Sequence, residues 1–337
     1  MTDSFYQSVA VVGGGAWGTA IAEAAARAGR TVTLWAREGD TVTAVNTAHE
    51  NTPFLPGVPL SPAIKATGTL DDIAQADVIF WVTPAQFLGV VAKQAQAALD
   101  AAGKKQPQVI CCKGIHIETG KLMSEMLADA LPTYTQAILS GPTFAREVAS
   151  GKPTAVTLSC DDADIGMRII ETIGLPTFRP YLSTDPRGAE IGGAIKNVFA
   201  IACGIVDGKQ LGDNARAALI ARGTAEMVRL GQALGGKTET MMGLAGLGDL
   251  VLTCTSTQSR NFSLGQAIGQ GQSMGEIMAS RNSVAEGVTT ALAVHKLAGK
   301  LNIEMPITAA VHAVLHEGAP IDQVILELLS RPFTKEY

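Results

Sequence analysis

At 337 residues the chain is too long for one ordinary hydrophobic core and calls for two domains. Hydrophobic residues make up 47% and charged residues 17%, which implies extensive burial or an apolar subunit interface. The formal net charge of −5, with no basic block, argues against a nucleic-acid partner.

The N-terminal MTDSFYQS lacks a basic region leading into an apolar core, so it does not read as a secretory signal. No apolar run reads as reaching the roughly twenty residues of a membrane span. Val9–Val12 then form a short apolar strand, and Gly13, Gly15 and Gly18 follow in G-x-G-x-x-G spacing. The first glycine permits a tight turn, the second a close approach to a pyrophosphate, and the third strand-to-helix packing. An alanine-rich helix through Ala20, Ile21, Ala24, Ala25 and Ala28 follows, and its N-terminal amides face the phosphates. A second strand is expected at residues 31–36. Beyond it, Arg37 reads either as a partner for the 2′-phosphate of NADP or as a solvated surface residue, while the adjacent Glu38 can reach a ribose.

The prolines and glycine of NTPFLPGVP, residues 51–59, predict an ordered loop pinned by Phe54 and Leu55. Strands are expected at 64–67, 78–82 and 108–112, with a helix over 87–101. This alternation signals an α/β fold with a doubly wound, Rossmann-type sheet, whose ligands sit at the carboxyl edge. Thr83 and Lys113 fall there. A lysine beside bound nicotinamide attracts an anionic substrate or a developing alkoxide; the other reading is a surface lysine. In LSGPTFAREV, Gly141 and Pro142 turn the chain and Thr143 offers a hydroxyl or a cap. Strands near 154–158 and 177–179 extend the first domain, assigned to residues 1–190.

Residues 191–337 read as a mainly α-helical substrate-binding and catalytic domain. Lys196 sits in an apolar helical stripe with Ile195, Val198, Phe199 and Ala202. Burial there disfavours its charge and moves its pKa toward proton transfer, unless the ammonium snorkels to the surface. After a helix over 214–234 comes a turn-rich block, MGLAGLGDL, and then a concentration of donors at Thr253, Ser259, Arg260 and Asn261. Such a group suits a phosphate, with Asp249 orienting Lys196 or binding a hydroxyl. Helices follow from 283 to 300, after Pro306 and from 321 to 329. His312 and His316 lack the H-E-x-x-H pattern and read as packing or surface residues, with no metal expected. The five cysteines, Cys111, Cys112, Cys160, Cys203 and Cys254, show no C-x-x-C pair and read as reduced, largely buried thiols in a cytoplasmic protein.

Together, GGGAWG, NTPFLPG, Lys113-Gly114, GPTFAREV, IKNVFAIACGI and GLAGLGDLVLTCTSTQSRN resemble the bacterial NAD(P)-dependent glycerol-3-phosphate dehydrogenase family over nearly the whole chain. The resemblance implies reversible reduction of dihydroxyacetone phosphate to sn-glycerol 3-phosphate for phospholipid synthesis, by a cytoplasmic homodimer using NADP or NAD. By motif, it implies Lys196 as the proton donor and acceptor. It implies substrate contacts at Lys113, Gly141, Thr143, Lys196, Asp249, Ser259, Arg260 and Asn261. Around the dinucleotide it places Ala16, Trp17, Arg37, Lys113, Ala145, Arg260, Val284 and Glu286, beside Gly13, Gly15 and Gly18. Arg37 inclines the choice toward NADPH. Ala16 and Thr143 stand where the family often has Ser, and Val284-Ala285-Glu286-Gly287 departs from its usual V-E-G. The sequence leaves two rivals, a two-domain hydroxy-acid reductase and a nonenzymatic NADP-binding regulator.

Overall fold

The computed structural model describes residues 5–279, 285–333 and 335. Strands β1 (Ser8–Val12), β2 (Thr31–Trp35), β3 (Ile64–Thr67), β4 (Val78–Trp81), β5 (Gln108–Ile110), β6 (Gln136–Ser140), β7 (Thr154–Cys160) and β8 (Phe178–Ser183) form one sheet. Its order is β3-β2-β1-β4-β5-β6-β7-β8. Neighbours are parallel except β6 and β7, so the first six strands make the Rossmann order, extended by an antiparallel step.

Helices α1 (Ala16–Arg27), α2 (Gly39–Ala48), α3 (Leu88–Ala102), α4 (Met123–Ala130), α5 (Ala145–Ala149) and α6 (Ala163–Ile173) accompany the sheet. The period of two along each strand divides the apolar residues between two cores. Val9, Val11 and Phe80 join Ile21 of α1 on one face. Ala10, Val12, Ile79 and Trp81 join Leu88 and Leu99 of α3 on the other. Within the loop after α2, Leu55, Val58 and Leu60 are buried, whereas Phe54 is 44% exposed. The anchor is therefore Leu55 with the two aliphatic residues after it; Phe54 is not part of it.

The second half is built around α7 (Pro186–Gly208), which opens on Pro186 with the Asp185 carboxylate accepting from Gly188 N at 3.0 Å. The expected division at 190/191 falls inside this helix. Apolar nearly all round, α7 is long and apolar enough to cross a membrane by length and composition, contrary to the sequence expectation, but its apolar window is wholly buried in the protein. Around it lie α8 (Asp213–Ala233), α9 (Thr238–Met241), α10 (Asp249–Cys254), α11 (Arg260–Gly269), α12 (Met274–Ala279), α13 (Glu286–Leu301), α14 (Pro306–His312) and α15 (Ile321–Leu329). Helices α7 and α11 touch backbone to backbone: a methyl group on Gly204 would lie 2.1 Å from Phe262 O, and one on Gly265 2.0 Å from Ile201 O. The block expected to be turn-rich is a π-helical turn, Leu244–Gly248, running directly into α10. His312 packs against His295, ring centroids 4.0 Å apart.

Candidate active site

Three glycines shape the turn after β1, each for a separate reason. Gly13 has φ +132°, and a Cβ there would lie 2.7 Å from Val82 O. At Gly18 it would lie 1.9 Å from Gly13 O, whereas at Gly15 it would meet nothing within 4 Å. The turn is thus packed behind and open in front, where α1 begins with Ala16 and Trp17. The Trp17 indole Nε1 and the Thr83 hydroxyl are buried without partners. Ala145 opens α5, which lies against α1. This cradle fits a dinucleotide: the open face of Gly15 lies at the amide-bearing end of α1, where a pyrophosphate would be held. Arg37 follows β2 with its side chain 79% exposed, 3.5 Å from the Glu38 carboxylate. Between β2 and β5 there are three strand spacings, about 14 Å, a span suited to an extended dinucleotide.

Where the two halves meet, three charged side chains converge. Lys113 follows β5, Lys196 projects from α7 and Asp249 opens α10. Asp249 is fully buried; its Oδ1 accepts from Lys196 Nζ at 2.5 Å and its Oδ2 from Lys113 Nζ at 2.6 Å. Lys113 Nζ also donates to Gly141 O at 3.3 Å, and Lys196 Nζ to Thr253 Oγ1 at 3.0 Å. The Lys196 ammonium is paired inside the protein, which excludes snorkelling. Burial pushes its pKa down to about 8; the Asp249 carboxylate opposes that fall and the Lys113 charge reinforces it.

The rest of the expected set is held by contacts of its own. Thr143 Oγ1 donates to Gly141 O at 3.3 Å. Ser259 caps α11, its hydroxyl oxygen accepting from Phe262 N at 3.2 Å. Asn261 Oδ1 accepts from Gly287 N at 2.9 Å and so ties α11 to the start of α13. There Glu286 has its pKa raised by burial, with Arg260, Lys196 and Lys113 drawing it back, so all three cations act on one carboxylate. Val284 lies outside the described residues. Arg37 stands apart from the lysine pair, at the far end of the cradle. Thr253, a donor by sequence, meets Lys196 because α10 sets Asp249 and Thr253 one turn apart, a helix that the glycines before Asp249 obscure in the sequence. Asn51, which nothing in the loop's sequence singles out, is a polar residue with no exposed surface at the start of the proline-rich loop.

A dinucleotide cradle on a parallel sheet, closed by a helical half that delivers a buried lysine to the carboxyl edge, defines a nicotinamide-dependent dehydrogenase of the two-domain class. Residues 8–165 and 185–326 match the family models described as NAD-dependent glycerol-3-phosphate dehydrogenase N-terminus and C-terminus. The chain belongs to that family. It is 55% identical over 331 residues to a glycerol-3-phosphate dehydrogenase [NAD(P)+] of Parvibaculum lavamentivorans, covering 98% of each chain. With that of Rhodospirillum rubrum the identity is 54%, covering 97% of this chain and 93% of the relative. The crystal structure of glycerol-3-phosphate dehydrogenase from Coxiella burnetii superposes with a TM-score of 0.92 at 40% identity, covering 97% of this chain and 100% of that one. NAD and NADP both fit the family and the cradle.

Proposed function

We propose that the chain catalyses the reversible reduction of dihydroxyacetone phosphate to sn-glycerol 3-phosphate, with NADPH preferred over NADH. The observation that carries the reading is Asp249 held between Lys113 and Lys196 at the carboxyl edge of the sheet. Nicotinamide, when bound, supplies or accepts the hydride. Lys196 Nζ gives its proton to the carbonyl oxygen in reduction and takes one from the hydroxyl in oxidation. A pKa of about 8 keeps both protonation states accessible near neutral pH. Lys113 offsets negative charge on the same oxygen, and Asp249 fixes both ammonium groups. Arg260 and Asn261 grip the phosphate, with Ser259, Gly141 and Thr143 beside them.

A dinucleotide would be held along Gly13, Gly15, Ala16, Trp17, Gly18, Ala145 and Glu286, and Arg37 would serve as the partner of the 2′-phosphate of NADP. The dinucleotide-binding domain ends near Asp185, where α7 begins, and the catalytic domain follows from that helix. The product serves glycerophospholipid synthesis in the cytoplasm, a placement supported by five free thiols. Homodimerisation is supported by a groove of about 1050 Å³, lined by Leu219, Ile307, Val314, Ile325 and Leu329 among others, with Leu329 77% exposed. No nucleic-acid contact or membrane insertion belongs to the reading. The deciding measurement is oxidation of NADPH, and separately NADH, by purified protein with dihydroxyacetone phosphate and direct identification of product. Turnover of 3-hydroxyisobutyrate instead, or cofactor binding with no hydride transfer, would overturn it.

A further inference from the structure

The loop between α2 and β3 takes no part in the chemistry above, yet it is firmly built. Glu50 and Pro59 bridge its ends, Gly57 N donates to Glu50 Oε1 at 2.8 Å, and Arg146 donates to Pro56 O at 2.7 Å. Asn51 lies at its base with no exposed surface. The Asn51 amide nitrogen donates to Gly14 O at 2.8 Å and to Thr19 Oγ1 at 2.7 Å, and its Oδ1 accepts from Phe54 N at 3.2 Å. Thr19 Oγ1 in turn donates to Gly15 O at 2.9 Å. Both amide hydrogens of Asn51 are thus spent inside the protein, one on the glycine turn and one on the residue that holds the next carbonyl of that turn.

A trans peptide points its N–H opposite to the preceding carbonyl, and the described chain has no cis peptide bonds. Fixing the Gly14 and Gly15 carbonyls from behind therefore directs the amides of Gly15 and Ala16 the other way. That is the side on which a Cβ at Gly15 meets nothing. A carbonyl rotated toward a pyrophosphate would set one partial negative charge against another; the Asn51–Thr19 pair opposes that rotation.

We infer that Asn51 is a positioning residue for the dinucleotide pyrophosphate, acting through Thr19 and the glycine turn and touching no cofactor itself. The inference rests on the reading of that turn as the dinucleotide site. It assigns the asparagine of the proline-rich loop to cofactor affinity, with no share in the proton transfer at Lys196.

The test is equilibrium binding of NADPH, ADP-ribose and adenosine to the full chain, by fluorescence and competition NMR, for Asn51→Ala, Asn51→Asp and Thr19→Val, with melting curves to establish folding. Expected is a loss of about tenfold or more for NADPH and ADP-ribose in each variant. Asn51→Asp is expected to be worst, because it cannot donate to Gly14 O and adds a negative charge. Adenosine, which carries no phosphate, binds within about twofold of the unaltered chain. Kinetically, KM for NADPH rises while kcat at saturating NADPH holds. Folded variants that bind NADPH normally would overturn the inference, as would equal losses for adenosine and ADP-ribose, which mark a general structural role. Should Asn51→Ala not fold, the near-isosteric Thr19→Val decides by the same criteria. If the unaltered chain binds no ADP-ribose, the dinucleotide reading itself is what fails.

Discussion

Asp249 accepts from Lys196 and Lys113 at once, one carboxylate oxygen to each, at 2.5 and 2.6 Å. Two ammonium groups in one largely buried space repel, and a single carboxylate between them makes the arrangement tolerable. Asp249→Asn keeps the shape and removes the charge. The expected result is a fall in kcat of about 10²- to 10⁴-fold. Because Asp249 raises the Lys196 pKa against burial, the variant's pH profile for reduction should shift its falling limb to lower pH. An unshifted profile of kcat/KM would separate Asp249 from Lys196.

Lys196 must be protonated to reduce and neutral to oxidise. Reduction should therefore fall as pH rises through about 8, and oxidation should rise over the same interval. Lys196→Ala should lower kcat by about 10²- to 10⁴-fold while the Kd for NADPH stays within about twofold, as measured by fluorescence titration. Equal losses in both quantities would make Lys196 a structural residue.

Arg37 is exposed and far from the reacting groups. Arg37→Ala should lower kcat/KM for NADPH by about tenfold or more and leave that for NADH nearly unchanged, since only NADPH carries the 2′-phosphate. An unchanged ratio of the two efficiencies would return Arg37 to the solvated surface.

Glu190 of α7 accepts from both Ser124 N and Ser124 Oγ, at 2.8 and 2.6 Å, joining α7 to α4. Burial raises its pKa to about 7 from an ordinary 4.5, Ser124 and Arg187 opposing the rise. With the folded value above the unfolded one, its contribution to stability is complete below about 4.5 and is lost as pH rises through about 7. Glu190→Gln keeps an acceptor and cannot ionise. Denaturant titrations should show the variant gaining on the unaltered chain between pH 5 and 8, by on the order of 2–3 kcal/mol. Parallel stability curves would refute it.

Gly265→Ala sets a methyl group against the Ile201 carbonyl. The two helices must part, at a cost of about 1–3 kcal/mol and a lower Tm. An unaltered melt would show that α7 and α11 have slack.

Much of the cradle was legible from the chain alone, because its determinants are local. A glycine's freedom at positive φ, an alternation that splits Val9 and Val11 from Ala10 and Val12, and a proline opening α7 act over a few residues. They determined the strand, turn and helix of the first half and marked Lys196 as a lysine in an apolar helix. Local pattern misled where competing signals overlapped: the glycines before Asp249 spoke for a turn, while packing against α7 imposed a π-helical turn and then α10. Only the tertiary structure brought Asp249 to lysines 53 and 136 residues away, and joined Asn51 to a glycine turn 37 residues before it. A hydrogen bond between distant residues leaves no periodicity in the sequence. It exists only once the sheet and the helical half have fixed where each side chain stands, and at this site that placement determines the charge on Lys196.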